Sequence, residues 1–220
     1  MNVSEALMAA CTAVLDAIAP RRARSTRTQA RTLADISVVP TTHELLRVQI
    51  TTIMQYENPA VQDLIRALKY DDSGAAAALA AAALADYLRE EIASLKQFSP
   101  REILLVPVPL HTARSRERGF NQIERVLRAL PQEFKDGTLA RLSPEVFVRT
   151  RATSPQTRLP RAERLANVAG AFAVPDHIRA RDARIFLIDD VATTGATLKH
   201  AGIPLEKAGA EVFRIALARA

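Results

Sequence analysis

Read from the amino terminus, apolar residues first recur at helical spacing. Leu7, Val14, Leu15 and Ile18 fall on one side of a helix over residues 3–18, which Pro20 stops. Residues 21–31 are polar, basic and without periodicity, the pattern of a mobile linker. Residues 38–54 alternate poorly, and 48–53 is their best stretch for a strand. Pro59 suits the first position of a helix through Val61, Leu64, Ile65 and Leu68, ending at Lys69 and Tyr70. A turn at Asp71, Asp72, Ser73 and Gly74 precedes an alanine-rich helix over residues 75–96, whose small side chains permit close packing. Beyond Pro100 the period alternates between two and 3.6. Strands are expected at 102–108, 145–152, 170–174, 183–188 and 211–218, and helices at 118–130 and 196–207, with Pro204 expected to kink the last. Strands alternating with helices predict an α/β fold with a doubly wound parallel sheet, preceded by an N-terminal helical segment. Ligands of such sheets sit at the carboxyl ends of the strands.

One strand exit carries the densest chemistry. Ile185, Phe186, Leu187 and Ile188 form an all-apolar run suited to a strand buried on both faces, and Asp189 and Asp190 follow at once. Val191, Ala192, Thr193, Thr194, Gly195, Ala196 and Thr197 then lead into the next helix. Small residues leave backbone N–H groups approachable, and a helix N-terminus favours a phosphate. Thr193, Thr194 and Thr197 donate hydroxyl hydrogen bonds, whereas ionised Asp189 and Asp190 only accept and call for hydroxyls or a metal. A sugar phosphate satisfies both. The loop lacks the Gly-x-x-x-x-Gly-Lys and Gly-x-Gly-x-x-Gly spacings of nucleoside triphosphate and dinucleotide sites.

Composition narrows the class. With 220 residues, 48% hydrophobic and 25% charged, the chain reads as an ordinary globular protein with one substantial core. No apolar run approaches the ~20 residues of a membrane span, and Glu5 and Asp16 interrupt the one stretch that resembles a signal peptide. A cytoplasmic protein with no membrane contact is expected. The lone Cys11 allows neither an internal disulfide nor a cysteine-based zinc site. Residues 101–164 hold thirteen Lys plus Arg against seven Asp plus Glu, so this window carries the whole net charge of +6. It would attract a polyanion, whether a diphosphate or single-stranded DNA. Aromatics are only 5% and Trp is absent, which leaves little material for stacking bases.

The stretch from Asp189 to Thr197, Asp-Asp-x-x-x-Thr-Gly-x-Thr after four apolar residues, resembles the PRPP-binding signature of type I phosphoribosyltransferases. The wider likeness is to the ComF/GntX family. It rests on Val106-Pro107-Val108-Pro109-Leu110, Arg116-Glu117-Arg118-Gly119-Phe120-Asn121-Gln122, Pro155-Gln156, and Arg161-Ala162-Glu163-Arg164 running through Asn167 to Ala171-Phe172. The resemblance implies a phosphoribosyltransferase-like domain over residues 56–220. Residues 1–55 would then be an N-terminal helix, a basic linker and a possible hood element. Asp189 and Asp190 would bind the ribose hydroxyls, and Val191 through Thr197 the 5′-phosphate. Pro107, Val108, Pro109, Arg118, Arg161 and Arg164 would face the diphosphate, and Asp190, Arg161 and Arg164 would assist catalysis. Asn121 and Gln122 offer amides to ribose or base. Mg²⁺ would arrive with PRPP, without a specified protein ligand. Relatives often carry a four-cysteine zinc motif where this chain has residues 20–27, so no zinc is expected. The family implies phosphoribosyl transfer to an unidentified nucleobase acceptor and a link to DNA uptake in natural transformation. A non-catalytic module that senses PRPP or binds single-stranded DNA is the alternative. A competence helicase and a second subunit, packed through the alanine-rich helix, are further candidate partners.

Overall fold

The computed structural model describes residues 21–109, 120–150, 170–175 and 177–220, with backbone only for 21–24. The helix expected over residues 3–18 lies outside them. Six strands form the main sheet in the order β1-β2-β8-β7-β3-β4. They are β1 (Val38–Leu45), β2 (Val48–Gln55), β3 (Ile103–Pro107), β4 (Arg141–Leu142), β7 (Arg184–Ala192) and β8 (Glu211–Arg219). Only the β1–β2 hairpin is antiparallel; β2, β8, β7, β3 and β4 run parallel. The expected α/β sheet is therefore present, with an antiparallel edge. Residues 48–55 do form a strand, and its pairing with β8 makes the hairpin continuous with the sheet.

Two apolar layers sandwich β7. On one face Phe186 and Ile188 meet α3 (Pro59–Tyr70), α4 (Gly74–Phe98) and α5 (Gln122–Ala129). On the other, Ile185 and Leu187 meet α7 (Ala196–Lys207). Each such side chain, fully buried, contributes roughly 1.5–3 kcal/mol, so the central strand is held firmly from both faces. In α4, Ala76, Ala77, Ala80, Ala81, Ala83 and Ala85 are all buried, as expected of a helix whose small face allows close approach.

Two local expectations change. The basic stretch expected as a linker contains α1 (Arg21–Gln29), which lies on α3. Buried Asp63 of α3 accepts from Arg27 Nε at 3.1 Å and Arg31 Nη2 at 3.2 Å, and Arg31 also donates to the Ala60 carbonyl. An ionic docking leaves no apolar period to read. The strands expected at 145–152 and 170–174 shrink to β5 (Val148–Arg149) and β6 (Phe172–Ala173), an antiparallel ribbon outside the main sheet with Phe147 stacked on Phe172. Pro204 lies inside α7, as expected. Buried Arg214 braces the helix interior, donating to the Leu198 carbonyl at 3.2 Å and to Glu206 at 2.5 Å. A Cβ on Gly202 would sit 2.3 Å from that guanidinium, so a larger residue there would push Arg214 off these hydrogen bonds. Among the described residues no helix is long and apolar enough to cross a membrane.

Candidate functional site

At the carboxyl end of β7 the chain turns through Thr193, Thr194 and Gly195 and enters α7 at Ala196. Gly195 makes the turn in the left-handed region, φ 78°, where a side chain is strained. It also sits against the hairpin. A Cβ there would lie 2.8 Å from Ile50 Cδ1 and 2.9 Å from Leu45 Cβ. The hairpin turn itself holds Leu46 and Arg47 at positive φ, 54° and 64°, the twisted two-residue geometry that matches antiparallel strands. Lys199, in the first turn of α7, fastens it by donating to the Leu46 carbonyl at 3.0 Å.

The result is a small open cleft lined by Asp189, Val191 through Thr197, and Leu198. The N-terminus of α7 lies at this turn, and Ala196, Thr197 and Leu198 of its first turn line the cleft. Exposed Thr193 adds a hydroxyl at the rim, while Thr194 Oγ1 accepts from the Ala196 N–H at 3.4 Å. The whole 5′-phosphate loop expected from sequence is thus brought to one place.

The two acids are parted. Side chains alternate across a strand, so Asp189 falls on the α7 face with Leu187 and lines the cleft, while Asp190 falls on the opposite face with Ile188. Asp190 is buried and occupied at both oxygens: Lys69 Nζ lies 3.1 Å from Oδ1, and Gln122 Nε2 donates to Oδ2 at 2.6 Å. Asp189 Oδ1 accepts from the Asp190 N–H at 2.8 Å. Burial and the charge of Asp190 push the Asp189 carboxyl up to about 7, against the backbone N–H of Asp190 and the cations of Lys69 and Arg149. Burial alone would lower the Lys69 ammonium, but the charge and hydrogen bond of Asp190, helped by Asp189, raise it overall.

The neighbouring strand exit differs from expectation. Pro107 and Pro109 have no N–H, and the Val108 N–H donates to the Ile188 carbonyl at 2.8 Å. The Val108 carbonyl accepts from Asn121 Nδ2 at 3.1 Å. Residues 107–109 therefore turn no backbone donor toward a diphosphate. Asn121 also caps α5, accepting from the N–H groups of Ile123 and Glu124, and Gln122 bonds Asp190, so both amides expected at ribose or base act inside the protein. Arg118, Arg161 and Arg164 lie outside the described residues. Sequence reading missed two cations near the acids, Lys69 and Arg149. Lys69 had a signal, as the basic residue in the last turn of α3. Arg149, whose guanidinium lies over the Phe172 ring 5.2 Å from its centroid, had none.

No family model matches the chain. It is similar to a protein of Streptococcus pneumoniae named "Competence protein ComFC", 30% identical over 159 residues, which are 70% of this chain and 60% of that protein. It is also similar to "Competence protein F" of Haemophilus influenzae, 32% identical over 120 residues, 53% of this chain and 50% of that protein. The matched stretches thus span about half to three-fifths of the length of these relatives.

Proposed function

Because this chain belongs to the ComF family of competence proteins, we propose that it is a PRPP-binding phosphoribosyltransferase-like protein serving DNA uptake in natural transformation. One observation carries the reading. A single cleft at the carboxyl end of the central strand joins a helix N-terminus with a hydroxyl rim, suited to a 5′-phosphate, to one carboxylate, Asp189, suited to ribose hydroxyls. In the transfer, a nitrogen of the acceptor base bonds to the anomeric carbon, the bond from that carbon to diphosphate breaks, and the base loses a proton. Positive charge grows on the sugar ring meanwhile, and ionised Asp189, part of the cleft lining, would stabilise it. Mg²⁺ suits such a substrate, since it takes one or two carboxylates along with phosphate oxygens, and would neutralise the departing diphosphate. Asp189, which lines the cleft, would be the carboxylate to hold it. Arg161 and Arg164, proposed as its counter-charges, belong to the segment that follows β5.

Thermal unfolding with and without PRPP tests this. PRPP with Mg²⁺ raises Tm, PRPP without Mg²⁺ raises it less, and Asp189→Asn removes the shift; a wild-type Tm indifferent to PRPP refutes the reading. A second reading, a module that binds PRPP without consuming it, draws support from the donor-poor exit of β3. A screen of nucleobases for diphosphate release separates the two.

A further inference from the structure

Resting on the phosphate reading above, we infer that His43 and Arg219 are positioning residues, a latch that holds the β1–β2 hairpin against the phosphate-suited turn while the His43 ring is neutral and lets go when the ring takes up a proton. Among the described residues β1 is an edge strand with β2 as its ladder partner. A line of side chains reaches over β2 and ties β1 to β8. Arg219 Nη1 lies 2.7 Å from His43 Nδ1, His43 Nε2 lies 3.1 Å from Thr52 Oγ1, and Thr52 Oγ1 donates to the Thr41 carbonyl at 3.4 Å. A guanidinium can only donate, so Nδ1 must accept and the ring proton must sit on Nε2, facing Thr52. Each donor then has its acceptor, down to the hydroxyl of buried Thr52. A second proton on the ring would aim an Nδ1–H at the guanidinium, two donors and two cations face to face. The exposed Arg219 side chain then swings away, while its carbonyl stays pinned by the Tyr56 N–H at 3.0 Å.

Both ends of this line are rooted beside the cleft. Arg219 is in register with Ala192, which lines it. His43 is in register with Ile50 and shares a face of β1 with Leu45, the two side chains on which the Gly195 turn rests. Releasing β1 therefore loosens the apolar wall behind that turn. Of the charged groups on the surrounding elements, Arg219 is the one the ring meets. Lys199 of α7 is bonded to the Leu46 carbonyl, Arg47 is exposed at the hairpin turn, Glu44 falls on the other face of β1, and β2 presents the uncharged Ile50 and Thr52. Burial, and then the charge of Arg219, hold the ring below the ordinary histidine value. The latch is thus shut at neutral pH and opens in acid.

Two measurements on the full chain test this. Proton–carbon NMR of the His43 ring should show it titrating below the ordinary value of 6.5, and Arg219→Met should move it part of the way back. Ribose 5-phosphate affinity is then read by calorimetry at about pH 7.5 and about pH 5, in wild type and in His43→Gln, each shown folded by near-ultraviolet circular dichroism; the glutamine amide keeps a donor and an acceptor but does not titrate. Ionisation of the ligand and of Asp189 weakens both proteins alike in acid, so the latch shows in the difference. Wild type should lose about fivefold more affinity between the two pH values than His43→Gln does. Support that was merely structural would lower affinity in His43→Gln equally at both, leaving the two falls the same, and that outcome overturns the inference. So does a His43 ring that titrates at the ordinary value in wild type and ignores Arg219→Met. Failure of wild type to bind ribose 5-phosphate at either pH overturns the phosphate reading and the latch's purpose with it, and a ring that still titrates low and answers to Arg219→Met then locates the failure in the ligand rather than in the latch.

Discussion

Two adjacent parallel strands, β3 and β7, leave the sheet at the same level, with Pro107 in register with Ile188. Their exits are opposites. After β3, prolines remove donors at 107 and 109, the Val108 N–H is bonded to β7, and the Val108 carbonyl is tied to Asn121. After β7, a left-handed glycine opens the chain into a helix whose first residues line a cleft. One exit is closed on itself and the other is open to a ligand. The comparison teaches that position at the carboxyl end of a strand is not enough: the exit that opens into a cleft is the one that leads straight into a helix N-terminus.

The largest blow to this contrast should come from Gly195→Val. The left-handed backbone and the collision with Ile50 and Leu45 together cost about 2–5 kcal/mol, lowering Tm by roughly 10 °C, and the loop no longer closes on a sugar phosphate. Calorimetric melting checks it, and a Tm within a degree of wild type would show that the turn does not need glycine.

Next in size is the ionisation of Asp189. Its folded pKa, raised to about 7, exceeds the unfolded value, so the folded state holds the proton more tightly and stability is lost as pH climbs from about 4 to 7. Asp189→Asn should flatten that fall and melt above wild type at pH 8. Binding of ribose 5-phosphate, which needs the ionised acceptor, should strengthen in the wild type across the same interval. Parallel stability profiles for the two proteins would contradict the raised value.

Smaller effects sharpen the contrast by separating the exits. Thr193→Ala removes a rim hydroxyl and should weaken ribose 5-phosphate binding roughly fivefold, ~1 kcal/mol, with Tm unchanged. Asn121→Ala removes both the cap of α5 and the tie to Val108. It should cost about 1 kcal/mol and 2–4 °C in Tm, yet leave binding of the same probe within twofold. If Asn121→Ala instead cripples binding and Thr193→Ala does not, the roles of the two exits are reversed.

Much of this was legible in the chain because it is written in local patterns. The run Ile185 to Ile188 is apolar at every position, as only a strand covered on both faces requires, and the small and hydroxyl residues behind it mark a helix start that the structure places at Ala196. The helix through Lys69 ends at the expected Tyr70. Expectations failed where a residue's partner lay far along the chain. Arg27 and Arg31 read as linker because Asp63, which they meet, is more than thirty residues away. Glu145 to Ala152 read as a sheet strand because its alternation says nothing of which strand it will pair with.

The amino-acid order by itself determined the alternation of strands and helices, the phosphate-suited loop and the adjacency of two acids, since each depends on neighbours within a turn or a pleat. Only the tertiary structure decided that Asp189 opens into the cleft while Asp190 is locked between Lys69 and Gln122. Successive side chains must leave a strand on opposite faces, and which face becomes a cleft and which a core is settled by the helices that pack there, brought in from remote parts of the chain.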